Sequence, residues 1–215
     1  MNPFVGTDGY GNVYPGAQIP FGGIQISPDT DSRFYDAASG YKYNHLTLMG
    51  FSLTHLSGTG IPDLGDFLFI PGTGEMKLEP GTHEDPDQGY CSRYSHDKEW
   101  ASPNYYAVEL ADYGVKAEMT SGVRSGMFRF TYPESDNAFI MIDMNHTLWQ
   151  SCEWSNLRMI NDSTITGYKL VKGWGPERHV YFTATFSKKL TGLRFVQDKK
   201  PVSYTHLTLP TICSV

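Results

Sequence analysis

Acidic side chains that can do chemistry gather in two loop regions of the sequence. Asp29, Asp31 and Asp36 follow a first short apolar segment, and Asp63 and Asp66 flank a glycine-rich loop. Paired carboxylates can act as general acid and base, and oxygen-rich loops can hold hard cations. Aspartates in loops also cap turns by accepting hydrogen bonds from backbone amides, and for Asp63 and Asp66 we favour that interpretation. A catalytic role for either is the least favoured.

Further candidates lie in the same loops and beyond. His55 is equally well explained as a ligand contact or as a packed, hydrogen-bonded histidine. Ser57 and Gly58 predict a tight turn, whose bare backbone would let a ligand or a partner domain approach closely. Arg93 can fork to a carboxylate or to a ligand hydroxyl, and we favour a structural ion pair. The tryptophans are better explained by packing than by ligand stacking; they include Trp149, Trp154 and Trp174.

The composition argues against several classes of function. The formal net charge is −6 and no basic cluster is present, which argues against nucleic acid as a partner. No apolar run approaches the roughly 18 residues of a membrane span. Gly9-Tyr10-Gly11 precedes Pro15 rather than a helix, so it is not a nucleotide-binding fingerprint.

The three cysteines are too widely spaced for a metal motif or a disulfide framework. We favour separate buried thiols at Cys91 and Cys152. A bridge between the two is the alternative.

Hydrophobic patterning predicts an all-β fold. Apolar and polar residues alternate in short segments that recur roughly every 8–12 residues, and no long amphipathic helix interrupts them. The predicted strands cover residues 24–27, 43–55 with a bend at Gly50, 66–70, 106–110, 115–119, 128–132, 138–144, 164–171, 180–186 and 193–197. They are typical of a large antiparallel β-sandwich. Function on such a scaffold usually lies in loops, here those around residues 6–20, 29–44, 54–66 and 83–104.

Several motifs, in order along nearly the whole chain, resemble family 92 glycoside hydrolases. They are Asn2-Pro3-Phe4-Val5-Gly6-Thr7, Tyr14-Pro15-Gly16-Ala17, Pro20-Phe21-Gly22, Ser27-Pro28-Asp29-Thr30, Ser39-Gly40-Tyr41, Gly50-Phe51-Ser52, Thr54-His55-Leu56-Ser57-Gly58-Thr59-Gly60 with Asp63 and Gly65-Asp66, Ser92-Arg93-Tyr94-Ser95-His96, and Val180-Tyr181-Phe182. The resemblance departs at Tyr10 and Asn12, where the family usually has histidines, and at Ala38, where it has cysteine. The first departure bears on substrate contacts.

The resemblance implies a calcium-dependent, inverting exo-α-mannosidase acting on mannose-containing glycans. It implies a supersandwich-like N-terminal β-sandwich, incomplete here at its C-terminal end, followed by a missing helical (α/α)6 domain. That domain would carry the catalytic carboxylates and most calcium contacts, so we assign no catalytic or metal-binding residue to this chain. The resemblance also implies a secreted or periplasmic parent protein. The residues expected to line the sugar pocket are Tyr10, Asp36, His55, Ser57, Gly58, Asp63 and Arg93.

The last residues do not fit this pattern. Residues 202–215 read VSYTHLTLPTICSV and resemble translated sequencing-adaptor read-through. We therefore assign residues 1–200 to the sandwich domain and 201–215 to a non-native tail. Two alternatives to the mannosidase domain are a stand-alone carbohydrate-binding sandwich, which needs an exposed aromatic platform, and a purely structural sandwich that buttresses a catalytic domain.

Overall fold

The computed structural model of the chain describes residues 1–32, 37–82, 84–197, 200–202 and 212–214. Within these residues there are β-strands and short 3-10 turns but no α-helix, which confirms the all-β prediction. The strands are β1 (Ser27–Asp29), β2 (Thr47–Leu48), β3 (Gly50–Ser52), β4 (Leu68–Thr73), β5 (Ser92–Arg93), β6 (Glu99–Ser102), β7 (Tyr105–Leu110), β8 (Val115–Ser121), β9 (Gly126–Thr131), β10 (Ala138–Asp143), β11 (Ser151–Asn161), β12 (Thr164–Lys172), β13 (Arg178–Thr185), β14 (Arg194–Gln197), β15 (Lys200–Val202) and β16 (Ile212–Ser214).

The strands form antiparallel sheets whose order reflects the chain's hairpins. The largest sheet has the order β1-β3-β4-β10-β16-β14-β15. A meander of β6-β7-β8-β9 and a second meander of β11-β12-β13 form two further sheets, and β2 pairs with β5. Turns at Asp112-Tyr113-Gly114 and at residues 122–125 join β7 to β8 and β8 to β9.

Strands β4 and β10 lie at the centre of the largest sheet with both faces covered. Leu68 and Ile70 pack on one face with Met141, while Phe69 and Ile142 pack on the other. A strand buried on both faces needs apolar residues at consecutive positions rather than alternating ones. This explains the nearly continuous apolar run from residue 138, and the strand predicted at residues 138–144 is confirmed as β10.

Gly50 produces the predicted bend between two strand pieces. Its φ is +157°, and a Cβ at this position would lie 2.8 Å from both the Phe69 carbonyl oxygen and Ile70 Cγ1. The close approach of β4 therefore requires glycine. As a result β2 and β3 belong to different sheets although only Met49 separates them.

The space between the sheets is not filled by side chains. A cleft of about 980 Å³ lies between β9, β13 and the central strands. Phenylalanines from all of these elements line it, and they include Phe67, Phe69, Phe128, Phe130, Phe182 and Phe186. The interior between the sheets is therefore open and apolar in this chain.

The remaining predictions about the scaffold have mixed outcomes. Cys91 and Cys152 are not bridged to each other, in agreement with the favoured interpretation, but only Cys91 is buried and Cys152 is half-buried. No helix among the described residues has the length and apolarity to cross a membrane.

Much of the segment 201–215 lies outside the described residues, and β16 within it pairs with β10 and β14. The non-native origin of this segment stays a prediction, because strand pairing does not report on the origin of a sequence.

Candidate functional site

Hydrogen bonds tie four loops into one unit, called here the loop cluster: residues 6–13, 57–64, 145–150 and 173–177. The Gly58 amide donates to the Asn12 carbonyl at 2.7 Å, which joins the first loop to the second. The Gln150 side-chain amide donates to the Pro62 carbonyl at 2.5 Å, which joins the second to the third. The loops that carry several of the predicted pocket residues are therefore neighbours.

Asp63 holds the fourth loop against the second. Its Oδ1 accepts the Leu64 amide at 2.6 Å and its Oδ2 accepts the Trp174 amide at 2.9 Å. The residue is buried. Gly173 must be glycine for this contact, because a Cβ there would lie 2.8 Å from Asp63 Oδ1. Both carboxylate oxygens are thus engaged by backbone amides, as in the favoured turn-capping interpretation.

Asp66 is the acceptor in a buried ion cluster beneath Asp63. Lys169 Nζ lies 3.0 Å from its Oδ1, and neither side chain is more than 1% exposed. Arg178 and the Thr54 hydroxyl both donate to Oδ2, the latter at 2.6 Å. Burial acts to raise the pKa of Asp66, but the charges of Lys169 and Arg178 outweigh it and lower that pKa below its ordinary value. The carboxylate is therefore ionised, with a cation beside each oxygen, and its Oδ1 is held by the ion pair with Lys169 without a hydrogen bond of good geometry.

Asp29, like Asp66, is a buried carboxylate, and its partners here are two histidines. His55 Nε2 donates to Oδ1 at 2.8 Å and His146 Nε2 to Oδ2 at 2.7 Å, with the Asp29 side chain completely buried. His55 Nδ1 also faces an acceptor, the Gln25 carbonyl at 2.7 Å, so both of its ring nitrogens are engaged. Burial acts to raise the pKa of Asp29, but His55 and His146 hold it well below its ordinary value.

The two ion clusters are connected. Lys169 Nζ, besides its bond to Asp66, donates to the His146 carbonyl at 2.5 Å. This link makes one buried polar network out of Asp29, His55, His146, Lys169, Asp66, Arg178 and Asp63. His146 lies in the third loop and Asp63 in the second, while Arg178 follows the fourth. The network therefore holds the second, third and fourth loops together on their buried side.

The outward side of the loop cluster presents aromatic and small residues. Tyr10 is 97% exposed, Trp174 57% and Trp149 55%. Ser57 and Gly58 of the second loop are also exposed. The backbone at Gly58 has a φ of +75°, a conformation that favours glycine. Exposed aromatic faces beside bare backbone are suited to the apolar and polar sides of a sugar ring.

The predicted pocket residues are distributed unevenly over this arrangement. Tyr10, Ser57 and Gly58 lie on the outward side. The prediction that His55 contacts the sugar is corrected, because its side chain has no exposed surface and its nitrogens are engaged. Asp63 lies just beneath the surface.

One predicted residue, Arg93, lies apart from these loops. Arg93 extends from β5 and forms ion pairs of 2.8 Å with both Asp87 and Asp112, the structural role that was favoured. Asp36 lies outside the described residues.

Three members of the buried polar network were not foreseen. His146, Lys169 and Arg178 are far from Asp29, Asp63 and Asp66 in sequence. Lys169 did leave a signal, because it occupies the inward position of β12, in alternation with Ile165, Gly167 and Val171. A lysine on the buried side of a strand needs a buried carboxylate partner.

Comparisons with known proteins agree with this architecture. The family model described as the glycosyl hydrolase family 92 N-terminal domain matches residues 1–208. A solved family GH92 α-mannosidase from Bacteroides thetaiotaomicron is 90% identical with a TM-score of 0.98, and the match covers 100% of this chain. That enzyme has also been solved in complex with mannoimidazole. Another solved GH92 glycosyl hydrolase is 27% identical over 100% of this chain, with a TM-score of 0.83.

A curated relative is named as an uncharacterised secreted glycosidase of Arthroderma benhamiae. It is 28% identical over 144 residues, which are 63% of this chain and 17% of the relative. The present chain also spans only 30% of the Bacteroides enzyme. The similarity therefore concerns a part of each larger protein.

Proposed function

The chain belongs to glycosyl hydrolase family 92 through that family's N-terminal domain, and we propose that it is the sandwich part of an exo-α-mannosidase. The observation that carries the proposal is the 90% identity to a solved α-mannosidase along the entire chain, with a TM-score of 0.98. At that similarity the backbone of the loop cluster is retained, so its outward side forms one wall of a pocket for a terminal α-mannosyl unit.

We propose that the hydrolytic step is carried out by residues outside this chain. Inverting hydrolysis of a glycoside needs an acid and a base roughly 6.5–9.5 Å apart, one protonated and one free to activate water. Asp63 and Asp66 are committed to backbone amides and to cations, respectively. We therefore assign both catalytic carboxyl groups to a helical domain in the part of the protein that this chain does not span.

We assign the calcium ion to the same helical domain, in the part of the protein that this chain does not span. The described residues do not fit such an ion, since they contain no group of three or more His, Cys, Asp or Glu side chains placed to bind a metal. The oxygens of Asp29, Asp63 and Asp66, moreover, already have partners. Calcium prefers six to eight oxygen ligands, carboxylates among them, and these three carboxylates are engaged within the chain.

Within this chain, the loop cluster orients the sugar. Tyr10 and the backbone at Ser57 and Gly58 contact the mannosyl unit, while the aromatic rings of Trp149 and Trp174 form the rim. The substrate is a mannose-containing glycan, as suggested by the mannoimidazole complex of the Bacteroides enzyme. A secreted or periplasmic location is supported by the name of the fungal relative.

Substitution of Tyr10 tests the pocket wall. In a chimera of residues 1–200 and the remainder of the Bacteroides enzyme, Tyr10→Ala is expected to raise KM for an α-mannobiose about tenfold, a loss of about 1.4 kcal/mol of binding. Its free energy of unfolding stays within about 0.5 kcal/mol of the parent, because the ring is 97% exposed.

Val123→Ala is the matched control, since this residue is 62% exposed in the turn between β8 and β9, outside the loop cluster and outside the central cleft. It should change neither quantity. An unchanged KM in Tyr10→Ala would favour the purely structural role for the sandwich instead.

A further inference from the structure

The outer face of the β6-β7-β8-β9 sheet carries a row of four side chains in register. Trp100 is paired with Ala107, Ala107 with Glu118, and Glu118 with Arg129. The opposite face of the same strands supplies the core through residues such as Tyr106, Val108, Ala117 and Met119. Trp100 is 64% exposed, so the packing of the sandwich does not account for it.

A hollow lies beside the Trp100 ring. Its cross-strand neighbour Ala107 is small and forms the floor, while Tyr105 and Glu109 rise on either side of Ala107 along β7. Lys98 and Lys116 complete the rim. The hollow measures about 370 Å³, which is at the lower end of the range of roughly 300–1,000 Å³ for small-ligand sites.

The charges around the hollow compensate one another. Arg129 makes two bonds to Glu118, at 2.8 and 2.7 Å, and the Tyr105 hydroxyl donates to the same carboxylate at 2.7 Å. These bonds lower the pKa of Glu118 to about 2. Lys98 pairs with Glu109 at 2.5 Å. Lys116 also lies 3.3 Å from Glu118 Oε1, so three cations face two carboxylates and the net charge of the five groups is +1. Such a rim offers many hydrogen-bonding groups and a weak net field, which suits a neutral, hydroxyl-rich ligand better than a polyanion.

We propose that this face is an accessory carbohydrate-binding site, separate from the loop cluster. A neutral pyranose unit of a glycan stacks its apolar side on Trp100 and lies over Ala107, and its hydroxyl groups bond to the Tyr105, Glu109 and Lys116 side chains. A protein partner is disfavoured, because a stable interface buries about 800 Å² per partner around an apolar centre, and here a single tryptophan stands among charged groups.

Titration of the 215-residue chain with α-linked mannotriose tests this site. Saturable shifts of the Trp100 indole resonance in ¹H-¹⁵N NMR are expected, with a Kd on the order of 1 mM. Trp100→Ala should weaken binding at least tenfold, and Ala107→Leu, which fills the floor, should do the same while retaining the ring. Phe21→Ala removes another exposed aromatic residue and should leave the Kd unchanged.

Several outcomes would overturn the proposal. These are the absence of saturable shifts, unchanged binding in Trp100→Ala, or equal weakening in Phe21→Ala. Tighter binding of a sulfated oligosaccharide than of mannotriose would show that charge, not stacking, determines recognition. Self-association in sedimentation that disappears in Trp100→Ala would identify the face as a contact between copies of the chain.

Discussion

Replacing Asp29 with alanine lowers the free energy of unfolding by about 3–5 kcal/mol, the expected effect of removing one partner from a buried ion cluster. The change leaves His55 and His146 facing each other in a site without solvent. Urea-induced unfolding followed by tryptophan fluorescence measures the effect. A loss of this size is a large part of the roughly 5–15 kcal/mol that stabilises a folded domain.

Asp162→Ala is the matched control for this experiment. Asp162 pairs with Lys189 at 2.6 Å, but its side chain is 56% exposed, so its removal should change the free energy of unfolding by less than about 0.5 kcal/mol. If Asp29→Ala destabilises the chain no more than this control does, the buried polar network does not have the structural role described here.

The contribution of Asp29 also depends on pH in a defined direction. Its pKa in the folded chain lies below the value of about 3.9 in the unfolded chain. The stabilisation is therefore fully present above pH of about 4 and is lost as the pH falls toward the folded-state pKa. Unfolding of the parent chain and of Asp29→Asn at pH 7, 5 and 3 should show the difference between them narrowing only at the lowest pH.

Replacing Asp66 with alanine has an effect of similar size. Lys169 is completely buried, and without Asp66 its ammonium group retains, among the described residues, the His146 carbonyl and the face of the Phe67 ring, 5.0 Å from the centroid. We expect a loss of about 3–5 kcal/mol. Chemical denaturation of the single variant measures it.

A second substitution distinguishes an unpaired charge from a general loss of packing. In Asp66→Ala/Lys169→Met the buried ammonium is replaced by an apolar chain of similar length, which should recover more than half of the lost stability. Arg178 is 24% exposed and can reach water in this variant. A double variant as unstable as Asp66→Ala alone would contradict the assignment of the loss to Lys169.

The sequence was most informative where local patterns determine structure. The bend at Gly50 was identified correctly because a close approach of two backbones requires glycine. The strand β10 was identified correctly because burial on both faces requires apolar residues at consecutive positions. The strand β11 was missed although it has 11 residues. In SCEWSNLRMIN the alternation at Cys152 and Trp154 is out of phase with that at Leu157 and Met159, and the strand has register shifts between Cys152 and Trp154 and between Met159 and Asn161.

The site was less predictable because its contacts join distant parts of the chain. Asp29 and His146 are 117 residues apart, and Asp66 and Arg178 are 112 apart. A single sequence contains no signal for such partners beyond the inward position of Lys169 in β12. His55 was recognised by its motif, but the motif does not distinguish a histidine that contacts a ligand from one that supports the loop.

Release of mannose from α-linked mannobioses tests the central claim most directly. Two proteins are compared with a protein-free blank in the presence of calcium: the 215-residue chain, and the chimera of residues 1–200 with the remainder of the Bacteroides enzyme. We expect the chimera to release mannose and the chain alone to release none above the blank. Turnover by the chain alone, or a folded chimera without activity, would contradict the assignment of this sandwich as one wall of an α-mannosidase pocket.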